Sequence, residues 1–110
     1  MLHLEVDESW VERKAGRMLK ILRSTKDELV TFRLIGRLEG ESLIELKRVM
    51  GLEASDPKLV LDLKDVTLVD QSAIGFLAHC EADSVILENC PAYIRDWVAA
   101  EKRRSRKRTP

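Results

Sequence analysis

No segment of this 110-residue sequence is long and apolar enough to cross a membrane. Charged residues interrupt every apolar stretch well before the roughly 18 residues that a spanning helix needs. The opening residues alternate apolar side chains with His3, Glu5 and Asp7, so they lack the continuous apolar region and the basic start of a secretory signal. We therefore expect a cytoplasmic protein without membrane insertion.

Cysteine and histidine are scarce. They occur only as Cys80 and Cys90 and as His3 and His79, and no paired spacing such as C-x-x-C is present. Because a metal site needs several such ligands at short spacing, we expect neither a metal nor another cofactor. The cysteines are expected to be buried thiols, since a reducing cytoplasm opposes a disulfide and a chain of this length builds a core without one.

Catalytic signatures are missing as well. No serine lies in a nucleophile-elbow glycine pattern, and no glycine-rich loop with a lysine is present to hold a phosphate group. His79 lies near the end of an apolar helical pattern, where a cation is favourable, so a structural role is expected for it. We expect that the chain is not an enzyme, and the missing loop also disfavours small-ligand or nucleotide binding at the strand ends.

Acidic and basic side chains number nineteen each, but they are unevenly distributed. Residues 1–100 hold eighteen acidic and thirteen basic side chains, a net charge of −5, and the last ten residues hold one acid and six basic residues. The six are Lys102, Arg103, Arg104, Arg106, Lys107 and Arg108. Residues 101–110 show no apolar periodicity, so we expect a frayed, disordered basic tail that either solubilises the chain or binds nucleic acid.

The apolar pattern of residues 18–100 indicates one α/β domain. A hairpin followed by alternating helices and strands predicts the order β-β-α-β-α-β-α, a mixed β-sheet with an N-terminal hairpin, parallel βαβ crossovers and helices packed on the sheet. Residues 1–17 are an extension with a strand-like opening and a charged piece around Trp10 that suits a helix. The predicted strands are residues 18–23, 29–38, 58–64 and 84–87. The last two of these strands are expected to be buried. The predicted helices begin near Glu41, Asp70 and Pro91.

Single residues carry more specific expectations. Gly51 suits the C-cap of the first helix, and Gly75, inside the second, indicates close packing. Trp97 shares an i, i+3, i+4 face with apolar neighbours and is expected in the core. Asp62, inside the central strand at 58–64, is expected to be partly buried and to accept hydrogen bonds from the turn N–H groups after Val66.

Residues 59–77, LVLDLKDVTLVDQSAIGFL, resemble the signature segment of STAS domains of the anti-sigma factor antagonist type. The resemblance extends over residues 18–99 and includes the Gly-x-Leu step at Gly36. In phospho-switch members of that family the turn reads Asp-Ser-Ser-Gly-Leu-Gly, and a kinase that is itself the anti-sigma factor phosphorylates the second serine. Residues 70–75 here read Asp-Gln-Ser-Ala-Ile-Gly, so Ser72 matches the phosphoacceptor and Asp70 the preceding acid, while Ala73 replaces the glycine.

The chemistry of this turn can also be argued without the family. Asp70 is a favourable N-cap, because its carboxylate can accept from free N–H groups at the positive end of the helix. Ser72 then lies in the first turn, where open α/β sheets commonly place their sites. A phosphate on Ser72 would add about −1.5 to −2 charges, tolerated by the helix but repelling a partner packed there. The alternative is that Ser72 is only a helix-start residue.

The sequence therefore favours a non-catalytic regulatory domain that binds a protein partner through Asp70, Gln71, Ser72 and Ala73, with Ser72 as a phosphorylation site. The resemblance implies a partner that is an anti-sigma factor with serine kinase activity. Similar lone STAS domains are accessory subunits of lipid-transporting ABC systems, so an ABC ATPase is the alternative partner. A third hypothesis is that the protein is a nucleic-acid or ribosome-associated factor that acts through the basic tail.

Overall fold

Five strands and three helices follow one another in the computed structural model of the chain, which describes residues 10–15, 18–53 and 58–108. In chain order they are β1 (Val11–Ala15), β2 (Leu19–Lys26), β3 (Leu29–Leu38), α1 (Glu41–Gly51), β4 (Lys58–Val69), α2 (Gln71–Ala82), β5 (Ile86–Glu88) and α3 (Ala92–Arg108).

The strands form one mixed sheet in the order β1-β2-β3-β4-β5. β1, β2 and β3 are antiparallel neighbours, whereas β4 runs parallel to both β3 and β5. α1 joins β3 to β4 and α2 joins β4 to β5, which are the predicted parallel crossovers. The predicted hairpin is also confirmed: β2 and β3 meet at Asp27 and Glu28, whose positive φ angles of 51° and 68° fit a tight two-residue turn.

All three helices pack on one face of the sheet. Apolar residues of β2, β3 and β4 that lie on this face form a single buried cluster with apolar residues of α1, α2 and α3. Each fully buried Leu, Ile or Phe contributes roughly 1.5–3 kcal/mol. The fully buried large side chains of this cluster are Ile21, Phe32, Leu34, Leu38, Leu46, Leu61, Leu63, Ile74, Leu77 and Ile94.

The N-terminal part of the sheet was not predicted. Residues 11–15 form an edge strand paired with β2, beginning with Val11 opposite Arg23, where the sequence suggested a helix. A charged segment can form an edge strand because the pairing comes from backbone groups. The alternation in residues 2–7 and most of the polar linker, residues 54–57, lie outside the described residues. Glu53, which begins that linker, accepts two 2.8 Å hydrogen bonds from Arg23 of β2.

The C-terminal third of the chain differs from the prediction in two ways. β5 is not a buried strand but a three-residue edge strand. Ile86 in it is 47% exposed, because β5 pairs only with β4. α3 continues through Arg108, so most of the basic segment is helical where a frayed tail was expected. Lysine, arginine and glutamate favour helices, and Lys102 is anchored to Glu81 of α2 at 3.0 Å.

Several expectations for single residues were wrong. Gly51 is the last residue of α1 and Leu52 is the C-cap, with right-handed helical backbone. Gly75 does not mark close packing, because a Cβ atom added there would meet nothing within 4 Å. Trp97 is 48% exposed, since Ile94 and Val98 already occupy the centre of the buried face of α3.

Both cysteines are free thiols, and they differ in burial. Cys80 of α2 is buried, and burial raises its pKa to about 12, with Asp83 adding to the effect and Lys47 opposing it. Cys90, before α3, is half-buried. Burial raises its pKa as well, and Arg95 partly offsets this effect. A thiol whose pKa is raised to about 12 stays protonated at neutral pH, and the burial of Cys80 also keeps reagents away from it.

Cys90 should therefore be alkylated before Cys80. With iodoacetamide at pH 8, intact-mass and peptide mass spectrometry should show modification at Cys90 alone in the native protein. Modification at both thiols is expected once urea unfolds the chain. Equal reaction rates at the two thiols in the native state would contradict the burial of Cys80.

Gly36 is required by the geometry of the β2–β3 pair. Its φ angle is +118°, and an added Cβ would collide with the carbonyl oxygen of Met18. That oxygen cannot move away without loss, because it accepts a 2.8 Å hydrogen bond from the backbone N–H of Arg37. Only glycine satisfies both the backbone angle and the contact.

Gly36→Ala should lower the free energy of unfolding by about 2 kcal/mol, because it adds strain at a positive φ and a backbone collision. Gly75→Ala is the control: the same substitution in open space within a helix should raise the free energy of unfolding by about 0.5–1 kcal/mol. Urea unfolding followed by circular dichroism measures both. If the two variants shift stability in the same direction, the conformation assigned to Gly36 is wrong.

Candidate partner-binding site

The candidate site lies where two parallel strands end side by side. Leu38 of β3 pairs with Val69 of β4, and within three residues of each the chain enters a helix, α1 after Gly40 and α2 after Asp70. The carboxyl ends of parallel strands are the usual position for binding sites in open α/β sheets. The predicted turn therefore lies at the edge of the sheet where a site is expected.

The Asp70 carboxylate links the starts of the two helices. One oxygen, Oδ1, accepts a 2.8 Å hydrogen bond from the backbone N–H of Ala73 and caps α2 as predicted. The other, Oδ2, accepts a 3.3 Å hydrogen bond from the backbone N–H of Gly40, the residue before α1. The second contact joins residues 30 positions apart in sequence.

Gly40 contributes through its backbone conformation. Its φ and ψ angles are 53° and −124°, and no side chain caps α1 at this position. Side-chain-bearing residues rarely adopt this combination, so glycine allows the chain to turn sharply between β3 and α1. The sequence predicts a helix that begins near Glu41, but it could not show that the N–H of the preceding Gly40 bonds to Asp70.

The four predicted partner-binding residues do not share one environment. Ser72 is exposed in the first turn of α2, and its hydroxyl makes no hydrogen bond within the described part of the chain. Gln71 is exposed and donates a 3.2 Å hydrogen bond to Glu101 of α3. Ala73 is fully buried, so its side chain cannot meet a partner and only its N–H serves the site, by capping.

Two exposed aromatic side chains lie on the same side of α3 as Glu101. Trp97 lies one helical turn before Glu101, the residue to which Gln71 is bonded, and Tyr93 lies one turn earlier. Tyr93 is 50% exposed and Trp97 is 48% exposed. We call the surface formed by Gln71, Ser72, Tyr93 and Trp97 the α2–α3 surface. Sequence reasoning missed Trp97 because periodicity alone does not show which of several apolar residues lies at the margin of a buried face.

The other flank of α2 faces α1. The Lys47 ammonium lies 5.6 Å from the centroid of the Phe76 ring, within the range of a cation–π interaction. Phe76 is half-buried and packs against the core. This flank of α2 therefore contacts α1 through a basic residue above an aromatic ring.

Asp62 and His79, which the sequence analysis also considered, lie outside this surface. Asp62 is partly buried, as predicted, but its partners are the backbone N–H of Lys64 at 3.0 Å and the side-chain amide of Asn89 at 3.2 Å, not N–H groups after Val66. The reason is that β4 continues to Val69, so no turn follows Val66. His79 is exposed in the last turn of α2, with Nε2 3.3 Å from Asp83.

Comparison with known proteins leaves the family open, since no protein-family model and no curated protein matches this chain. Within the described ranges, no helix combines the length and the apolar character needed to span a bilayer. Over the same residues, no three His, Cys, Asp or Glu side chains are grouped so as to hold a metal ion.

Asp70→Ala should lower the free energy of unfolding by about 1–2 kcal/mol, because it removes the cap of α2 and leaves the Gly40 N–H without its acceptor. Asp70→Asn is the control, since asparagine caps helices nearly as well as aspartate. Urea titration monitored by tryptophan fluorescence and circular dichroism measures both variants. Equal stability of Asp70→Ala and the wild type would show that the carboxylate is dispensable.

Proposed function

We propose that this chain is a regulatory protein-binding domain resembling the anti-sigma factor antagonists of the STAS family. The proposed contact is centred on the α2–α3 surface, and phosphorylation of Ser72 is the proposed switch. The observation that carries the proposal is the position of Ser72: exposed, in the first turn of α2, and two residues after the carboxylate that caps this helix.

The surroundings of Ser72 suit a modification that leaves the fold intact. The side chain is outside the core and its hydroxyl holds no other group, so a kinase can reach it without unfolding α2. A phosphate there would lie near the positive end of the helix, which favours a negative charge. Because both Asp70 oxygens are already engaged in hydrogen bonds to backbone N–H groups, the cap is kept when the second negative group arrives.

The same phosphate would oppose a partner. A protein that packs over Ser72 would have to desolvate a group carrying about two negative charges beside the Asp70 carboxylate. Tyr93 and Trp97 supply the apolar part of such a contact, and tyrosine and tryptophan are the residues most enriched among those that dominate interface energies. Unmodified protein would then bind its partner, and phosphorylated protein would release it.

Ser72→Asp should abolish capture of an anti-sigma-like kinase from lysate of the protein's own host. Tagged wild type, Ser72→Ala and Ser72→Asp are compared, with bound proteins identified by mass spectrometry. We expect the kinase with wild type and Ser72→Ala, and at least a tenfold loss with Ser72→Asp. Phosphopeptide analysis of the protein purified from its host should locate the modification at Ser72.

Ser84→Asp is the matched control, because Ser84 is an exposed serine beyond the other end of α2 with a φ angle of 71° that aspartate tolerates. It should capture the partner like wild type. Thermal unfolding of Ser72→Asp should match that of wild type, which separates loss of contact from loss of fold. An ABC ATPase retained by wild type and Ser72→Asp alike would replace the switch with the accessory-subunit function.

Nucleic-acid binding is a second candidate function, favoured by the helical form of the basic segment. Residues 102–108 place six positive charges on the last two turns of α3, on a chain whose first hundred residues carry a net charge of −5. Such a charge density gains free energy on a polyanion by release of counterions. RNA or ribosomal proteins captured equally by wild type and Ser72→Asp, and lost when residues 102–108 are replaced by glutamine, would favour this function instead.

A further inference from the structure

A cavity of about 230 Å³ lies between the end of α2, the edge strand β5 and one flank of α3. It is lined among others by Glu81, Leu87, Cys90, Arg95, Val98 and Lys102. These α3 residues lie on the flank away from Trp97, because residues 95 and 97 are about 160° apart around the helix. The cavity is thus separate from the α2–α3 surface, and none of the sequence motifs points to it.

Part of the cavity wall is apolar. Val98 belongs to the buried core, and Leu87 packs against that core from β5. The half-buried thiol of Cys90 adds a soft, weakly polar group on the same side. Small-molecule sites combine apolar contacts with a few polar or charged groups that fix the orientation of the ligand.

The charges at the margin favour an anion. Glu81 and Lys102 neutralise each other across a 3.0 Å ion pair. Arg95 is exposed and forms no ion pair with any described residue, although it lies close enough to Cys90 to favour the thiolate. The lining therefore carries a net charge of +1 within a body that is net negative, and the unpaired group is a guanidinium, whose planar donors match a carboxylate.

We propose that this cavity binds a small organic acid, with its carboxylate on Arg95 and its apolar body against Leu87 and Val98. The volume is below the roughly 300–1,000 Å³ of sites that take drug-sized ligands, which favours a small ligand. The site needs no glycine-rich phosphate loop, so the lack of that motif does not bear on it. It is also independent of any function of Ser72.

Benzoate, with nine non-hydrogen atoms, is the probe, and benzamide is its neutral isostere. In a titration followed by ¹H–¹⁵N correlation spectra, benzoate should shift the amide signals of Leu87, Cys90 and Val98 with a dissociation constant on the order of 1 mM. Benzamide should bind about tenfold more weakly, because it lacks the charge-assisted hydrogen bonds to Arg95.

Arg95→Gln should remove the preference for benzoate over benzamide while leaving the spectrum of the folded protein in place. Arg103→Gln, the same change at an exposed residue of α3 outside the cavity lining, is the control and should bind benzoate like wild type. Alkylation of Cys90 by iodoacetamide gives a second readout: benzoate at ten times its dissociation constant should slow it about tenfold, in proportion to occupancy.

Three results would overturn the proposal. The first is a benzoate titration that leaves the signals of the lining residues unmoved. The second is equal affinity for benzoate and benzamide in the wild type. The third is an unchanged preference for benzoate in Arg95→Gln, since the anion would then be held by another group. None of these results affects the proposal for Ser72, whose test measures capture of a protein.

Discussion

The hydrogen bonds of one carboxylate hold the candidate site together. β3 and β4 end next to each other, and each is followed by a helix whose first N–H groups have no partner within that helix. Asp70 serves both helices, accepting from Ala73 at the start of α2 and from Gly40 before α1. The exposed position of Ser72 and the sharp turn at Gly40 follow from this arrangement. Without the carboxylate, the two helix starts would lose this hydrogen-bonded link.

A second constraint is that the helices cover only one face of the sheet. The cluster of buried residues joins one face of β2, β3 and β4 to all three helices, so the helices must also pack beside one another. α2 lies between α1 and α3, with Phe76 under Lys47 on one flank and Gln71 bonded to Glu101 on the other. On α3, Ile94 and Val98 occupy the buried face, so Trp97 adds to a surface instead of to the core.

Much of the fold could be predicted from local patterns. The hairpin, α1, the interior strand β4 and the Asp70 cap each depend on residues close together in sequence, and all were found. What local patterns missed depends on distant partners. β1 is a charged segment that becomes a strand only by pairing with β2, and Asp62 is bonded to Asn89, 27 positions away. The length of α3 likewise reflects anchoring of Lys102 by Glu81, which no helical period reveals.

Glu101 and Lys102 of α3 are adjacent in sequence, yet they contact opposite ends of α2. Glu101 accepts from Gln71 at the first residue of α2, and Lys102 pairs with Glu81 near its last. α3 therefore contacts both ends of α2 through these two side chains, and the two contacts fix the rotation of α3 about its own axis. Insertion or deletion of one residue between Ile94 and Glu101 would rotate Glu101 and Lys102 by about 100° relative to the buried face of α3, so both contacts with α2 would be lost together. This stretch can accept changes of side chain far more readily than changes of length.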